Sequence, residues 1–169
     1  MEVSSEMTIL AESDRLLLRK FELSDAEAYY EMTRDKSIQD YVPYAHLSSL
    51  NETIQCIKYS VNGDFTNYLY VAIEEKQTGK LIGAIIATRT FPLTFDINIL
   101  IHKDYRNQGY MSEALQHFIP TMPQGSELIF VIDKNNKASF NTVTKIPNII
   151  EKPFKGSTKE IMYRFSLIV

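Results

Sequence analysis

A short polar turn in the second half of the chain has residues suited to binding phosphate. Arg106-Asn107-Gln108-Gly109 leads into a segment, residues 109–118, whose apolar residues recur at helical spacing. A helix N-terminus presents unpaired amides and a partial positive charge, and a glycine lets a ligand approach the backbone closely. If this turn is a binding site, the ligand that suits it is a phosphate group. Taken alone, an arginine three residues before a glycine more often marks a solvated turn.

The residues around the turn make it far more specific. The segment from Asp96 to Leu115 resembles the acetyl-CoA-binding motif of the GNAT superfamily, particularly its ribosomal-protein N-terminal acetyltransferase (RimJ/RimL-like) branch. The superfamily pattern is Arg or Gln, two variable residues, Gly, one variable residue, then Gly or Ala. Arg106 and Gly109 match this pattern, and Met111 replaces the final small residue.

The resemblance extends over nearly the whole chain. Residues 13–19 are similar to the first strand of that branch, and residues 136–139, followed by Lys145, are similar to its second cofactor segment. The chain departs from the family where Pro147 and Asn148 stand in place of a Gly-Phe pair. Because proline lacks an amide donor and the freedom of glycine, we expect the exit from this helix to differ from the family norm.

The resemblance implies a fold and a cofactor. The fold is a single GNAT-like α/β domain over residues 1–169, with a mixed, mostly antiparallel sheet of six to seven strands, splayed at its centre and flanked by about four helices. Acetyl-CoA, as co-substrate, is expected between the strands at residues 95–102 and 127–132. The residues implied in cofactor binding are Leu100, Ile101 and His102 for the pantetheine arm and thioester, Arg106, Asn107, Gln108, Gly109, Tyr110 and Met111 for the pyrophosphate, and Asn136 and Ser139.

Acyl transfer to an amine needs a group that accepts a proton, because a lysine-type amine has a pKa of about 10.4. Asp96 occupies the position where this branch commonly has a glutamate, and it is the candidate base; it is equally well read as a strand-edge aspartate bound to solvent or to a cap. Ser139 is placed by the resemblance to donate to the departing thiolate, or is simply a polar residue of a helix's first turns. His102 has a suitable intrinsic pKa, but a loop histidine is the favoured interpretation.

The acceptor is expected to enter beside the connection between the first two helices. Tyr41, Tyr44 and His46 lie in that connection and are the candidate acceptor-binding residues, although aromatic side chains there also suit plain packing. A primary amine of a protein N-terminus or of a small molecule is the expected acceptor. The alternative is an acetyl-CoA-binding or sensing module without catalysis. An unrelated nucleotide-binding domain is disfavoured, since the chain has neither a Walker lysine motif nor G-x-G-x-x-G after its first strand.

Hydrophobic periodicity predicts the elements that position these residues. Two capping signatures, at residues 24–27 and 49–52, predict the starts of two helices. Alternation from Tyr68 onward predicts three antiparallel strands, and further patterns predict a helix from Gly109, a strand at 127–132, a helix near 136–146 and a last strand. The order is strand, two helices, three strands, helix, strand, helix, strand, which is typical of a mixed α/β sheet.

Composition limits the remaining alternatives. The chain has 169 residues, 44% of them hydrophobic, and a formal net charge of −3, which disfavours wholesale binding to nucleic acid. Cys56 is the only cysteine, so an internal disulfide is excluded and a reducing cytoplasm is expected. Neither a secretory signal nor a long apolar run is recognised, and the histidines lack metal-ligand spacing. We therefore expect no metal and no membrane partner, and either a monomer or a homodimer.

Overall fold

Alternating apolar side chains build the first half of one open sheet. The computed structural model describes residues 7–42, 47–62, 67–153 and 162–169. Its first five strands pair antiparallel in chain order: β1 (Ile9–Glu12), β2 (Leu16–Lys20), β3 (Tyr68–Glu75), β4 (Lys80–Phe91) and β5 (Thr94–Ile101). The three antiparallel strands expected at the centre are confirmed as β3, β4 and β5.

The sheet splays where β5 meets the second half. The remaining strands are β6 (Glu127–Asp133), β7 (Ile150–Lys152) and β8 (Met162–Ile168), and the order across the sheet is β1-β2-β3-β4-β5-β6-β8-β7. β5 and β6 pair in parallel over only three residues, ending at Asp96 and Ile129, although both strands continue beyond that point. The expected splayed, mostly antiparallel sheet is confirmed, with eight strands because the short β1 and β7 join it.

The helices differ in one place from the expected pattern. The described residues contain α1 (Ala26–Thr33), α2 (Lys36–Tyr41), α3 (Leu50–Asn62), α4 (Tyr110–Phe118) and α5 (Lys137–Val143). The polar run at residues 34–39 was expected only to end the first helix, but it starts a second one. Asp35 makes this possible, because its carboxylate accepts a hydrogen bond from the amide of Ser37 at 3.0 Å and so caps α2.

One of the two predicted capping boxes is displaced. Ser24 was expected to cap the first helix with Glu27, whereas Glu22 and Asp25 form the reciprocal pair ahead of a 3₁₀ turn that runs into α1. At α3 the prediction is confirmed, because the hydroxyl of Ser49 accepts from the amide of Glu52 at 3.1 Å. The carboxylate of Glu52 turns back to the amide of Ser48 at 2.8 Å.

The two faces of the sheet carry separate apolar clusters. One cluster packs α4 and α5 against one face, with Phe118, Leu128 and Phe130 among its fully buried members. The other packs α1 and α3 against the opposite face of β3, β4 and β5. Because side chains alternate along a strand, Phe95 and Ile97 of β5 join the first cluster, while Asp96, Asn98 and Leu100 face the other way.

A buried ion cluster ties the start of α1 to the sheet. Arg19 is 3% exposed, and its guanidinium donates to both carboxylate oxygens of Asp25, at 2.7 and 2.8 Å, and to Glu74 at 2.7 Å. These contacts, the one with Asp25 first, raise the pKa of Arg19 despite burial. Removing one member would leave a buried charge uncompensated, so the cluster fixes how α1 sits on β2 and β3.

Candidate active site

A cavity of about 410 Å³ lies where the sheet splays. The turn before α4, the beginning of α5, the end of β5 and helix α2 surround it. Its lining residues are Ser37, Ile38, Tyr41, Val42, Ile99, Leu100, Ile101, Tyr105, Arg106, Asn107, Gly109, Tyr110, Met111, Ser112, Asn136, Ala138, Ser139, Asn141, Thr142 and Lys145. The structure thus brings most of the sequence-predicted cofactor residues together around one opening.

The turn before α4 exposes a set of backbone amides. Gly109 is the N-cap residue with φ of +78°, and Asn107 is also left-handed with φ of +59°. The first hydrogen bond of the helix runs from the amide of Glu113 to the carbonyl of Gly109 at 3.0 Å, so the amides of Tyr110, Met111 and Ser112 precede it. These donors, with the helix dipole behind them, can bind an anion.

Gly109 is needed for its backbone conformation. A Cβ built there would meet its nearest neighbour, a guanidinium nitrogen of Arg15, at an ordinary 3.6 Å, so space does not exclude a side chain. The positive φ does, because L-residues rarely adopt it without strain. The expectation that Gly109 serves a close ligand approach is therefore joined by a second reason, the shape of the turn itself.

Residues from the β1–β2 connection hold this turn in place. Glu113 of α4 accepts hydrogen bonds from the hydroxyl of Ser13 at 2.7 Å and from Nε of Arg15 at 2.7 Å. The Arg15 guanidinium also donates to the carbonyl of Gln108 at 3.1 Å and stacks 4.1 Å from the ring centre of Tyr110. Burial opposes ionisation of Glu113, but the Ser13 and Arg15 contacts outweigh it and lower its pKa.

The side chain of Arg106 is held by contacts within the protein, so it is not a free phosphate-binding cation. Its Nε donates to the carbonyl of Ile101 at 3.1 Å, and its two terminal nitrogens contact Ser37 at 2.7 Å and Asp35 at 3.3 Å. The Ser37 hydroxyl first and Arg106 second lower the pKa of Asp35 against the effect of burial. Arg106 therefore joins the turn to β5 and α2 and shapes the cavity wall.

The start of α5 forms the opposite side of the opening. Asn136 caps the helix, because its side-chain oxygen accepts from the backbone amide of Ser139 at 3.1 Å. The Ser139 hydroxyl lines the cavity, and within the described part of the chain it has no hydrogen-bond partner. Pro147 lies in the turn after α5, where Asn148 has φ of +62° before β7 begins. Both Asn136 and Ser139 line the cavity.

The backbone groups of β5 that face the gap differ from the set that the resemblance implied. The amide of His102 donates to the carbonyl of Ile82 at 2.7 Å, and its carbonyl accepts from Tyr105 at 2.9 Å, so both are occupied. Backbone groups alternate in direction along a strand, so those of Leu100 also point towards β4. Ile99 and Ile101 point into the gap instead. The carbonyl of Ile101 already accepts from Arg106, so the geometry favours the amides of Ile99 and Ile101 and the carbonyl of Ile99 as backbone partners of a ligand.

Asp96 lies at the apex of the splay and outside the lining of the cavity. It is the last residue of β5 paired with β6, opposite Ile129, and its half-buried side chain lies on the α1 and α3 face. Burial raises the pKa of Asp96, and the positive charge of Arg164 partly opposes that rise. A carboxylate with a raised pKa is a better proton acceptor than an ordinary one.

The remaining predicted residues are distributed unevenly. Tyr41 lies at the end of α2 and lines the cavity, whereas Tyr44 and His46 lie outside the described residues. Gln108 is not part of the lining, and its side-chain amide donates to the carbonyl of Asp104 at 2.8 Å. The imidazole of His102 accepts from the amide of Asp104 at 3.3 Å, as expected of a loop histidine.

Sequence reasoning missed the contribution of α2. Ser37 and Ile38 line the cavity together with Tyr41 and Val42, although residues 34–39 were interpreted as the end of the preceding helix. The signal that was available is Asp35 two residues before Ser37, an N-cap arrangement at the start of a short amphipathic stretch. Ile99 and Tyr105 were also missed as lining residues.

A metal site and a membrane span are two further features to consider in the part of the chain that the structure describes. No group of three or more His, Cys, Asp or Glu side chains is arranged there to hold a metal ion. None of the described helices has the length and apolar character needed to cross a bilayer.

Comparisons with known proteins bear on the family and the fold of the chain. The family model described as an acetyltransferase (GNAT) domain matches residues 15–146. An uncharacterized N-acetyltransferase of Bacillus subtilis, YnaD, is 32% identical over 103 residues, which cover 60% of this chain and 58% of that relative.

Two solved structures have a similar fold. A RimL ribosomal L7/L12 alpha-N-protein acetyltransferase in complex with coenzyme A superposes with a TM-score of 0.78 at 14% identity, covering 95% of this chain and 98% of that one. A spermidine N-acetyltransferase from Vibrio cholerae, in complex with CoA and spermine, gives 0.72 at 14% identity, with 92% and 96% covered.

Proposed function

Since the chain belongs to the GNAT acetyltransferase family, we propose that it is an acetyl-CoA-dependent N-acetyltransferase acting on a primary amine. The amine attacks the thioester directly, in a ternary complex of enzyme, acetyl-CoA and acceptor. The observation that carries the proposal is the set of first-turn amides of α4 beside the gap between β5 and β6. We assign the chain to the RimJ/RimL-like branch on the residues from Asp96 to Leu115.

The described residues suit the binding of acetyl-CoA. In the proposal, the amides of Tyr110, Met111 and Ser112 bind the pyrophosphate, and the left-handed Asn107 and Gly109 keep that turn open to it. The outward-facing amides of Ile99 and Ile101 and the carbonyl of Ile99 pair with the pantetheine arm, as an added strand would pair with a sheet edge. The side-chain amide of Asn136 contacts the same arm from α5.

Asp96 and Ser139 divide the proton transfers between them. Acetyl-CoA supplies an acetyl thioester. The Asp96 carboxylate takes a proton from the attacking amine, directly or through water, so that the nitrogen lone pair is free. The C–N bond forms as the C–S bond breaks, and the Ser139 hydroxyl donates to the departing thiolate. Burial of Asp96 supports its role, because it raises the pKa of the carboxyl.

The acceptor and the place of the reaction are parts of the same proposal. A primary amine of a protein N-terminus or of a small molecule is the acceptor, and Tyr41 lines its approach. Similar folds act on both kinds of acceptor, namely a ribosomal protein and spermidine. A single cysteine suits a reducing compartment, so we place the reaction in the cytoplasm.

The test is a matched pair of substitutions at Ser112, in the first turn of α4. Ser112→Glu adds negative charge at a helix N-terminus, which favours the helix but repels a pyrophosphate. We expect the variant to keep its melting temperature and to lose at least about tenfold in acetyl-CoA affinity by calorimetry, whereas Ser112→Gln, neutral and of equal size, loses much less. Equal affinities for the two variants would remove the pyrophosphate from this turn.

Catalysis is tested separately by thiol release from acetyl-CoA with a panel of amines and N-terminal peptides. Turnover of at least one acceptor, dependent on both substrates, is the expected result. Tight acetyl-CoA binding without release of thiol by any acceptor would instead identify a binding module.

A further inference from the structure

Two cations face each other across the far end of the sheet. Lys152 of β7 and Arg164 of β8 are directly opposite partners in an antiparallel pair. Like charges in that position destabilise a sheet. Both side chains are partly exposed, and among the described residues no carboxylate lies within 4 Å of either one.

Two acidic side chains of β6 on the same face are otherwise engaged. Glu127 accepts a hydrogen bond from the hydroxyl of Ser166 at 2.6 Å, and Asp133 accepts from the amide of Asn135 at 2.8 Å. The whole chain has a net charge of −3, so the two cations are a local feature and not part of a generally basic surface. A local cation pair that makes no ion pair within 4 Å among the described residues is suited to an anionic ligand.

This cation pair lies on the same face of the sheet as Asp96, the proposed base. Arg164 is opposite Val131 of β6, and Asp96 of β5 is opposite Ile129, two residues before Val131. All four residues therefore share one face, opposite to the face that packs against α4 and α5. Val131 is 47% exposed between them, so a small molecule or a chain terminus can lie across β6.

The distance between Arg164 and Asp96 suits a single molecule that contacts both side chains. Arg164 is two strands and two residues away from Asp96, which corresponds to about 12 Å between the two Cα atoms at ordinary strand spacings. The long arginine side chain shortens that distance. The charge of Arg164 acts on Asp96, since it opposes the rise in the Asp96 pKa.

We propose that the acetyl acceptor carries an anionic group, a carboxylate or a phosphate, that binds Lys152 and Arg164 while its amine is presented at the gap beside Asp96. The inference rests on the proposed function and narrows its acceptor class. It disfavours polyamines, because a second ammonium group would meet the two cations. Two sources have this chemistry, a small amino acid or aminoalkyl phosphonate and a peptide with an acidic residue after its free N-terminus.

The test compares acceptors that differ only in charge. β-Alanine and its phosphonate counterpart are compared with β-alaninamide and with the diamine of the same chain length. A peptide with glutamate in the second position is compared with its glutamine counterpart. We expect kcat/KM to be about tenfold higher for the anionic member of at least one set, mainly through KM. The set that shows the preference identifies the source.

Variants of the cation pair locate the effect. Arg164→Gln and Lys152→Gln are each expected to raise KM for the anionic acceptor about tenfold, to leave acetyl-CoA affinity unchanged, and to keep the fold, since each removes one of two repelling charges. Lys152→Gln should also leave neutral acceptors unchanged. Arg164→Gln is compared with neutral acceptors at a pH above the acid limb, because Arg164 acts on the Asp96 pKa. Lys58→Gln, at an exposed position of α3, is the matched control. Equal kcat/KM across the charge series, or a preference that survives both variants, would overturn the inference and leave the proposed function standing.

Direct binding separates the two proposals if no acceptor is turned over. The probe is then 3-aminopropylphosphonate, with the diamine as its cationic counterpart, titrated against the acetyl-CoA-loaded protein. Binding of the phosphonate that is lost in Arg164→Gln would support the anion site even though the proposed catalysis had failed. Absence of charge-selective binding would overturn the anion site.

Discussion

Arg106 reaches Asp35 across the mouth of the cavity, with 3.3 Å between a terminal guanidinium nitrogen and the carboxylate. The same guanidinium contacts the hydroxyl of Ser37 and the carbonyl of Ile101. A residue that the family pattern associates with the cofactor turn thus uses its side chain to join that turn to α2 and to the end of β5. Its planar fork of donors is what allows three simultaneous contacts.

Arg106→Lys should weaken acetyl-CoA binding although it keeps the charge. A lysine ammonium cannot reach Ile101, Ser37 and Asp35 together, so the turn loses its connection to α2. We expect about tenfold weaker binding of acetyl-CoA by calorimetry, which corresponds to about 1.4 kcal/mol. Lys103→Arg, two residues into the same loop, is the control. Unchanged affinity in Arg106→Lys would mean that charge alone matters here.

Glu113→Gln should destabilise the protein in a way that depends on pH. Glu113 accepts from Ser13 and Arg15, and because the Arg15 side chain is 43% exposed, we expect the two hydrogen bonds together to contribute about 2 kcal/mol to stability. The folded-state pKa of Glu113 is lowered, so this contribution is present above its unfolded pKa of about 4.3 and is lost as the pH falls through the folded value.

The measurement is the free energy of unfolding from urea titrations between pH 7 and pH 3. Wild type and Glu113→Gln should differ by about 2 kcal/mol at pH 7 and should converge in acid. A constant difference at every pH would show that the Glu113 charge does not contribute. Glu151→Gln, at an exposed position, supplies the control for general acid effects.

If Asp96 is the base, Asp96→Asn should lower turnover by about 10²–10⁴-fold, which is the usual contribution of general base catalysis. Protonated Asp96 cannot accept a proton, so wild-type kcat/KM should fall as the pH drops through the Asp96 pKa. Since burial raises that pKa, the limb should lie above the ordinary value of about 3.9.

Two acceptors of different amine pKa assign the limbs of that profile. A limb that moves with the acceptor belongs to its amine, and one that stays fixed belongs to the enzyme. If Asp96→Asn keeps the fixed limb and its turnover, the base lies elsewhere and Asp96 is only a strand-edge carboxylate.

Local patterns in the sequence were sufficient for most of the fold. The alternation from Tyr68 predicted β3, and the helical spacing after Gly109 predicted α4, because both depend on neighbouring residues that face one core. β1 and β7 were missed, since strands of four and three residues have too little periodicity to register. Their existence depends on the pairing partners β2 and β8, which only the folded chain supplies.

The sequence indicated many of the residues that line the cavity, but not the contacts between them. Ser13, Arg15 and Glu113 all lie in segments that resemble the family. Nothing in the local sequence indicates that Arg15 and Glu113, which are 98 positions apart, are bonded to each other and hold the turn before α4. Likewise, the pattern predicted Arg106 as a cation near phosphate, whereas its guanidinium is bound by Asp35 and Ser37 in the folded chain. Long-range ion pairs depend on tertiary geometry, which spacing along the chain does not encode.

Ser139→Ala should slow the chemical step without disturbing α5. The helix is capped through the backbone amide of Ser139, which bonds to the side chain of Asn136, so removal of the hydroxyl leaves that bond intact. If the hydroxyl donates to the departing thiolate, kcat should fall by about tenfold or more while acetyl-CoA affinity changes little, because the interaction forms only as the C–S bond breaks.

Asn136→Ala is the contrasting variant: it removes the cap, and we expect it to cost about 1 kcal/mol of stability. Steady-state kinetics with acetyl-CoA held saturating, together with thermal melts, separate the two effects. A Ser139→Ala enzyme with wild-type kcat would return Ser139 to the role of an ordinary polar residue in the first turn of α5.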